Sequence, residues 1–154
     1  MLAAVLPTGT SPTTFSPHEA VTRAQIATFL HRKAGSPPPT GPQFADVPAN
    51  SYFASAVRWM RATGLTTGVG GTNYYKPYDR ASRAELITLL WRSAGSPNLG
   101  TSHGFRDVPK GSYYERAVTW AVKRNITTGT SPTTFAPTEP VTRAQTVTFL
   151  WRMG

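Results

Sequence analysis

GTSPTTFAPTEPVTRAQ occupies residues 129–145, and GTSPTTFSPHEAVTRAQ occupies residues 9–25. A third, more divergent copy, GVGGTNYYKPYDRASRAE, lies between them at residues 68–85. Arg23, Arg83 and Arg143 therefore stand at strict 60-residue intervals. Periodicity of this length marks a tandem array in which one supersecondary unit is repeated and neighbouring units cover each other's apolar faces.

The last four residues of each copy are a helix start. Thr22-Arg-Ala-Gln25, Ser82-Arg-Ala-Glu85 and Thr142-Arg-Ala-Gln145 fit the capping box S/T-x-x-E/Q. In it the N-cap hydroxyl accepts from the N3 amide while the N3 side chain reaches back to the N-cap amide. Thr22, Ser82 and Thr142 are the expected N-caps. Val21 with Ile26 and Ala81 with Leu86 supply hydrophobic staples, and Val141 with Thr146 a weaker one. The apolar face is expected to continue through Ala27, Leu30 and Ala34, with Leu90 and Leu150 equivalent to Leu30. Gly35 and Gly95 end these helices, and Gly154 falls in the same register. This reading needs the hydroxyl and the Gln or Glu. It does not need the Arg, whose side chain is expected to lie outside the core.

Working outward, a second repeated segment precedes each later copy. FADVPANSYFASAVRWMRATGLTTG (residues 44–68) and FRDVPKGSYYERAVTWAVKRNITTG (residues 105–129) align at an offset of 61. Ala56, Val57, Met60 and Leu65, like Ala117, Val118, Ala121 and Ile126, form a helical apolar stripe. Gly64 and Asn125 sit where a left-handed residue would close it. Residues 36–43 and 96–104 are linkers rich in Pro, Gly and Ser. The expected fold is mainly α, a single domain of helix-loop-helix repeats over residues 1–154. Residues 1–35 form the second half of repeat one, residues 44–95 repeat two and residues 105–154 repeat three. Aligning Gly9 with Gly129 sets Leu6 against Ile126, so the first helix of repeat one is expected to be missing. Either the chain is cut from a longer protein or a partner supplies that helix, and the vacancy invites self-association.

Bulk composition narrows the function. Net charge is +9, with 16 basic against 7 acidic residues, which suits an anionic partner. The chain has no Cys, which excludes thiolate metal sites and disulfides, and no apolar run reaches the ~18 residues needed for a membrane span. Of the acids, Asp46 and Asp107 recur, in equivalent positions of separate units, whereas hydrolytic chemistry needs two carboxylates facing one bond. His18, His31 and His103 do not recur, and no triad or metal-ligand spacing is visible. No catalytic residue, metal or cofactor is expected. A dedicated nucleic-acid binder would concentrate Lys and Arg on one element, whereas here they are spread through every unit. Trp59, Trp91, Trp120 and Trp151 fall inside helical patterns and are read as core.

The combined pattern is F-x-D-V, an aromatic, A-[IV], G-[IL]-x-x-G, F-x-P and [IV]-[TS]-R-A-[EQ]. It resembles the S-layer homology repeat, over essentially the whole chain, as two full units and one half. The resemblance implies a pseudo-threefold helical domain with grooves between repeats. It also implies non-covalent attachment of a larger exported protein to anionic secondary cell-wall polysaccharide, often through a pyruvylated terminal sugar. The location implied is extracellular, at the bacterial cell wall or cell surface. On this footing Arg23, Arg83 and Arg143 would fork onto a carboxylate, aided by free amides at the helix N-terminus. Asp46, Asp107, Gly68 and Gly129 would line the ligand, although the two Asp equally suit orienting the adjoining turn or pairing with an Arg. Tyr52 and Tyr113 occupy the groove-aromatic position, where Trp is commoner in the family. Gln25 and Gln145 replace the commoner Glu, and the loop of repeat two is one residue longer than that of repeat three. A protein–protein or surface-assembly module, and a basic nucleic-acid-binding domain, are the alternative classes left open.

Overall fold

The computed structural model describes residues 13–154. The expected absence of a first helix in repeat one falls at residues 1–6, outside the described residues. Five α-helices are present: α1 (Arg23–Lys33), α2 (Ala54–Ala62), α3 (Arg83–Ser93), α4 (Glu115–Lys123) and α5 (Arg143–Met153). A 3-10 turn covers Val69–Gly71, and among the described residues there is no strand, only isolated bridges. No described helix is long and apolar enough to cross a membrane.

The chain divides into two compact units between Ala81 and Ser82, inside repeat two. Unit 1 holds α1 packed on α2; unit 2 holds α3 packed on α4, together with α5. Sequence repeats and compact units are thus out of phase by half a repeat. The second helix of one repeat packs against the first helix of the next.

The two helix types are built differently. α1, α3 and α5 begin with complete capping boxes: Thr22, Ser82 and Thr142 accept from the amides of Gln25, Glu85 and Gln145, whose side chains accept from the N-cap amides. α2 and α4 begin at Phe53 and Tyr114 with no side-chain cap. Their start is set instead by burial, since Phe53, Ala56, Val57 and Met60 in α2, and Ala117, Val118 and Trp120 in α4, are all inside. All four helices α1–α4 stop in the same way, with a left-handed residue at Gly35, Gly64, Gly95 or Asn125. Next to each, the following amide reaches back five residues: Ser36 to His31, Leu65 to Met60, Ser96 to Trp91 and Ile126 to Ala121.

Some expectations change. α1 and α3 are buried nearly all round through their first two turns, rather than along one face, and Ala34 is an exposed C-cap residue. Buried Thr28, Thr88 and Thr146 satisfy their hydroxyls on the carbonyl four residues back, which makes them compatible with an apolar interior. Of the four Trp, Trp120 is core. Trp59 and Trp91 are half-buried, and Trp151 is 59% exposed. Trp91 donates its Nε1 hydrogen to the Pro97 carbonyl, and His31, one repeat earlier, bonds the Pro37 carbonyl through Nε2. These two side chains tether the linker that follows each helix.

Candidate functional site

Each unit places the start of one helix against the loop of the following repeat. In unit 1 the Arg23 and Ala24 amides donate to the carbonyls of Asp79 and Pro77, at 2.9 and 2.8 Å. In unit 2 the Arg83 and Ala84 amides donate to Glu139 and Pro137, both at 2.9 Å. The amides expected to lie open to an anion at α1 and α3 are therefore already used. Within one fold, the carbonyls of the next loop do what an external ligand would otherwise do.

The arginine side chains complete the same joint. Arg23 Nε donates to the Tyr75 carbonyl at 2.7 Å, and its guanidinium carbon lies 4.6 Å from the Tyr75 ring centroid. The Tyr75 hydroxyl returns a bond to the Arg23 carbonyl at 2.8 Å. In unit 2, Arg83 Nε donates to the Phe135 carbonyl at 2.8 Å, with the guanidinium 4.7 Å from the Phe135 ring and 5.4 Å from Phe149. Arg83 is only 3% exposed and Arg143 only 5%. The expectation that these side chains lie outside the core is thus overturned. A guanidinium stacks well on an aromatic face and is weakly hydrated, so it tolerates this burial.

Arg83 carries its charge at a cost. Desolvation lowers its pKa from the ordinary arginine value, and the nearby Asp107 carboxylate partly restores it. Among the described residues its terminal nitrogens have no hydrogen bond or ion pair, the Nε bond being its one side-chain bond. The Nε bond and the two rings thus fix the plane of the guanidinium while its outer edge stays unpaired.

Asp46 and Asp107 clamp the loop itself. The Asp46 carboxylate accepts from the Tyr75 and Lys76 amides at 2.8 and 2.7 Å, and that of Asp107 from the Phe135 and Ala136 amides, both at 2.8 Å. Lys76 and Ala136 have φ of 55° and 56°, so two successive amides converge into a cradle for an anion. The carboxylate fills that cradle. Of the roles open to these acids in the sequence, orienting the turn is the one the hydrogen bonds display.

Gly68 and Gly129 sit where that loop doubles back. A Cβ on Gly68 would lie 2.2 Å from the Thr72 carbonyl oxygen, and one on Gly129 would lie 2.5 Å from the Phe105 ring and the Thr134 carbonyl oxygen. Their amides are taken up by the Thr66 and Thr127 hydroxyls at 3.2 and 3.1 Å. The longer loop of repeat two accommodates its extra residue in the Val69–Gly71 turn, where Gly70 and Gly71 take positive φ. The shorter loop closes instead through the Ser131–Thr134 bridge.

Tyr52 and Tyr113 stand on the turns before α2 and α4, exposed at 69% and 60%. The hydrogen bonds and ring contacts bring Arg23, Asp46 and Gly68 together around the Tyr75 loop, and Arg83, Asp107 and Gly129 around the Phe135 loop. Arg143 is buried in α5, within unit 2. Sequence reading passed over Tyr75 and Phe135, the rings that receive the arginines. The available signal was the F-x-P position itself, aromatic in both repeats.

The sequence profile of the S-layer homology domain matches residues 43–87 and 104–147, together more than half of the chain. Three curated relatives are similar. One is an amylopullulanase of Thermoanaerobacterium thermosulfurigenes, 24% identical over 93% of this chain and 8% of the relative. Another is a cell surface protein of Thermoanaerobacter kivui, 28% identical over 71% of this chain and 15% of the relative. The third is an endoglucanase of a Bacillus species (strain KSM-635), 28% identical over 66% of this chain and 10% of the relative. The chain therefore spans only a small fraction of the length of each.

Proposed function

The chain belongs to the S-layer homology domain family, and from that premise we propose that it is a cell-surface anchoring module that binds anionic wall polysaccharide non-covalently. The relatives support a role as an attachment part. Two are named for enzymes and one for a surface protein, yet each shares with this chain only 8–15% of its length. What they have in common is a short segment, not a chemistry. In this reading the chain holds a larger exported protein at the bacterial surface.

The observation that carries the polymer reading is Arg83. Its guanidinium is desolvated, fixed through Nε and two rings, and unpaired at its outer edge among the described residues. Such a fork suits a carboxylate, or the pyruvyl ketal of an acidic sugar, better than a neutral hydroxyl. Arg23 in unit 1 is likewise held through Nε to a loop carbonyl and over an aromatic ring, half-buried rather than buried. Tyr52 and Tyr113 offer exposed rings for the apolar face of a sugar. The net charge of +9 draws an acidic polymer in from a distance.

Co-sedimentation with purified cell walls tests this. The chain is expected to pellet with walls that retain their acidic secondary polysaccharide and to stay in solution with walls from which it has been removed. Equal pelleting with both, or capture by surface protein alone, would replace polymer anchoring with a protein–protein role.

A further inference from the structure

The end of the linker is fastened to the following helix in both units, with one difference. In unit 1 the Gln43 side chain accepts from the Phe44 amide through Oε1 at 3.0 Å and donates through Nε2 to the Ala54 carbonyl at 2.8 Å. In unit 2 the His103 ring stands in the same role. Its Nδ1 accepts from the Phe105 amide at 3.0 Å, and its Nε2 lies 3.7 Å from the Glu115 carboxylate. That carboxylate is nearly buried, and its other oxygen accepts from the Gly111 amide at 3.1 Å. At an offset of 61, unit 1 has Ala54 in place of Glu115, so no carboxylate arises there. A cavity of about 270 Å³ opens beside Ala54, between the linker at Gly41 and Gln43 and the side of α2 that carries Ser55 and Arg58. Arg58 lies four residues after Ala54, on the same helix face. Its Nε donates to the Gly41 carbonyl, and among the described residues its terminal nitrogens have no hydrogen bond or ion pair. The Asn50 amide, at the position of Gly111, has no hydrogen-bond partner among them either. In unit 2 the position of Arg58 is held by Thr119, whose hydroxyl turns to the Glu115 carbonyl. Unit 2 thus carries the carboxylate without the guanidinium, and unit 1 the guanidinium without the carboxylate.

We propose that this cavity of unit 1 binds a carboxylate on a short aliphatic arm, the group presented by an Asp or Glu side chain or by a small free acid. The ligand takes the place beside α2 that Glu115 takes beside α4, and the terminal nitrogens of Arg58 receive it as a fork. The Nε bond to Gly41 already fixes the guanidinium plane, so little side-chain entropy remains to be lost on binding. The volume lies just under the range of about 300–1,000 Å³ usual for drug-sized ligands, which suits a guest the size of a side chain. The site lies outside the arginine joints, and the proposal does not rest on the polymer reading.

The test is an NMR titration of the 154-residue chain with N-acetyl-L-glutamate α-amide, with glutarate and, as the neutral counterpart, with N-acetyl-L-glutamine α-amide. At least one of the two acids is expected to bind with a Kd on the order of 1 mM, shifting the Arg58 guanidinium and the Ala54 and Ser55 amides. The glutamine compound is expected to shift none of them. Binding of the blocked glutamate identifies a protein side chain as a fitting ligand, and binding of glutarate alone a free acid. Arg58→Gln is expected to weaken binding by about 10-fold or more. Arg124→Gln removes the same charge at an exposed position of unit 2 and is expected to stay within about 2-fold of the parent. Ala54→Glu gives unit 1 the carboxylate of unit 2 and is expected to abolish binding by occupying the cavity from within. If that variant does not fold, Arg58→Gln against Arg124→Gln still decides. Equal losses in those two would reduce the effect to net charge and overturn the site. Parent-like binding by a folded Ala54→Glu, equal shifts with the glutamine compound, or no binding of either acid would overturn it too.

Discussion

Units 1 and 2 are each held internally by the same device and are finished outside by different surfaces. In both, an arginine at a helix start crosses 52 residues to the carbonyl and ring of an aromatic in the next loop. In unit 1 that aromatic is Tyr75, which returns a hydrogen bond, and the arginine is half-buried. In unit 2 it is Phe135, which cannot, and Arg83 is buried against two rings. Outside, Tyr78 in unit 1 stands where unit 2 has Thr138. Repetition holds where the loop must be held and relaxes at the exposed surface.

The loop glycines are the most severe way to break the device. Gly68→Ala and Gly129→Ala each drive a Cβ into backbone oxygen at 2.2–2.5 Å, at φ of 89° and 85°. Each is expected to destabilise its loop by on the order of 3 kcal/mol, read as a lowered urea midpoint. A parent-like midpoint would mean the loop can open without loss.

Replacing the arginines separates the units. Arg83→Ala loses a charge-assisted bond and two ring contacts in a buried place, for an expected ~2–4 kcal/mol. Arg23→Ala, half-buried with one ring contact, is expected to cost ~1–2 kcal/mol. Equal losses in denaturant melts would show that burial of Arg83 adds nothing.

Tyr75→Phe converts the joint of unit 1 into that of unit 2. Loss of its bond to the Arg23 carbonyl is expected to cost about 1 kcal/mol in the same melts. The smallest change is Glu85→Gln, which gives α3 the Gln found in α1 and α5 and should shift stability by less than about 0.5 kcal/mol.

These comparisons show why parts of the molecule were legible in the sequence and others were not. The capping boxes at Thr22, Ser82 and Thr142 were readable because all their partners lie within three residues. The left-handed stops at Gly64 and Asn125 were readable for the same reason, each bond spanning five residues or fewer. The arginine joint was not. Its partners are 52 residues away, so an arginine at a helix start looked like a surface residue awaiting a ligand. Its adjacent amides looked free for the same reason, since the carbonyls of Asp79 and Glu139 arrive only through tertiary packing. The half-repeat offset of the compact units was hidden too, because a repeat in sequence does not say which neighbour each helix packs against. Among the site residues, Asp46 and Asp107 were recognised by recurrence. Their cradle of successive amides became visible only once Lys76 and Ala136 were seen in the left-handed region.

The central claim is that Arg83 serves the fold through Nε while holding its outer nitrogens ready for an anion. Side-chain guanidinium NMR on the chain, titrated with acidic wall polysaccharide, reads both halves at once. The account predicts that the Arg83 Nε–H resonance, bonded to the Phe135 carbonyl, is protected from exchange before polymer is added and keeps its position afterwards. The terminal nitrogens are expected to shift with the polymer and to stay in place with its carboxyl-reduced form. Polymer binding that moves other resonances and leaves the Arg83 terminal nitrogens untouched would contradict it, leaving Arg83 a structural clasp alone.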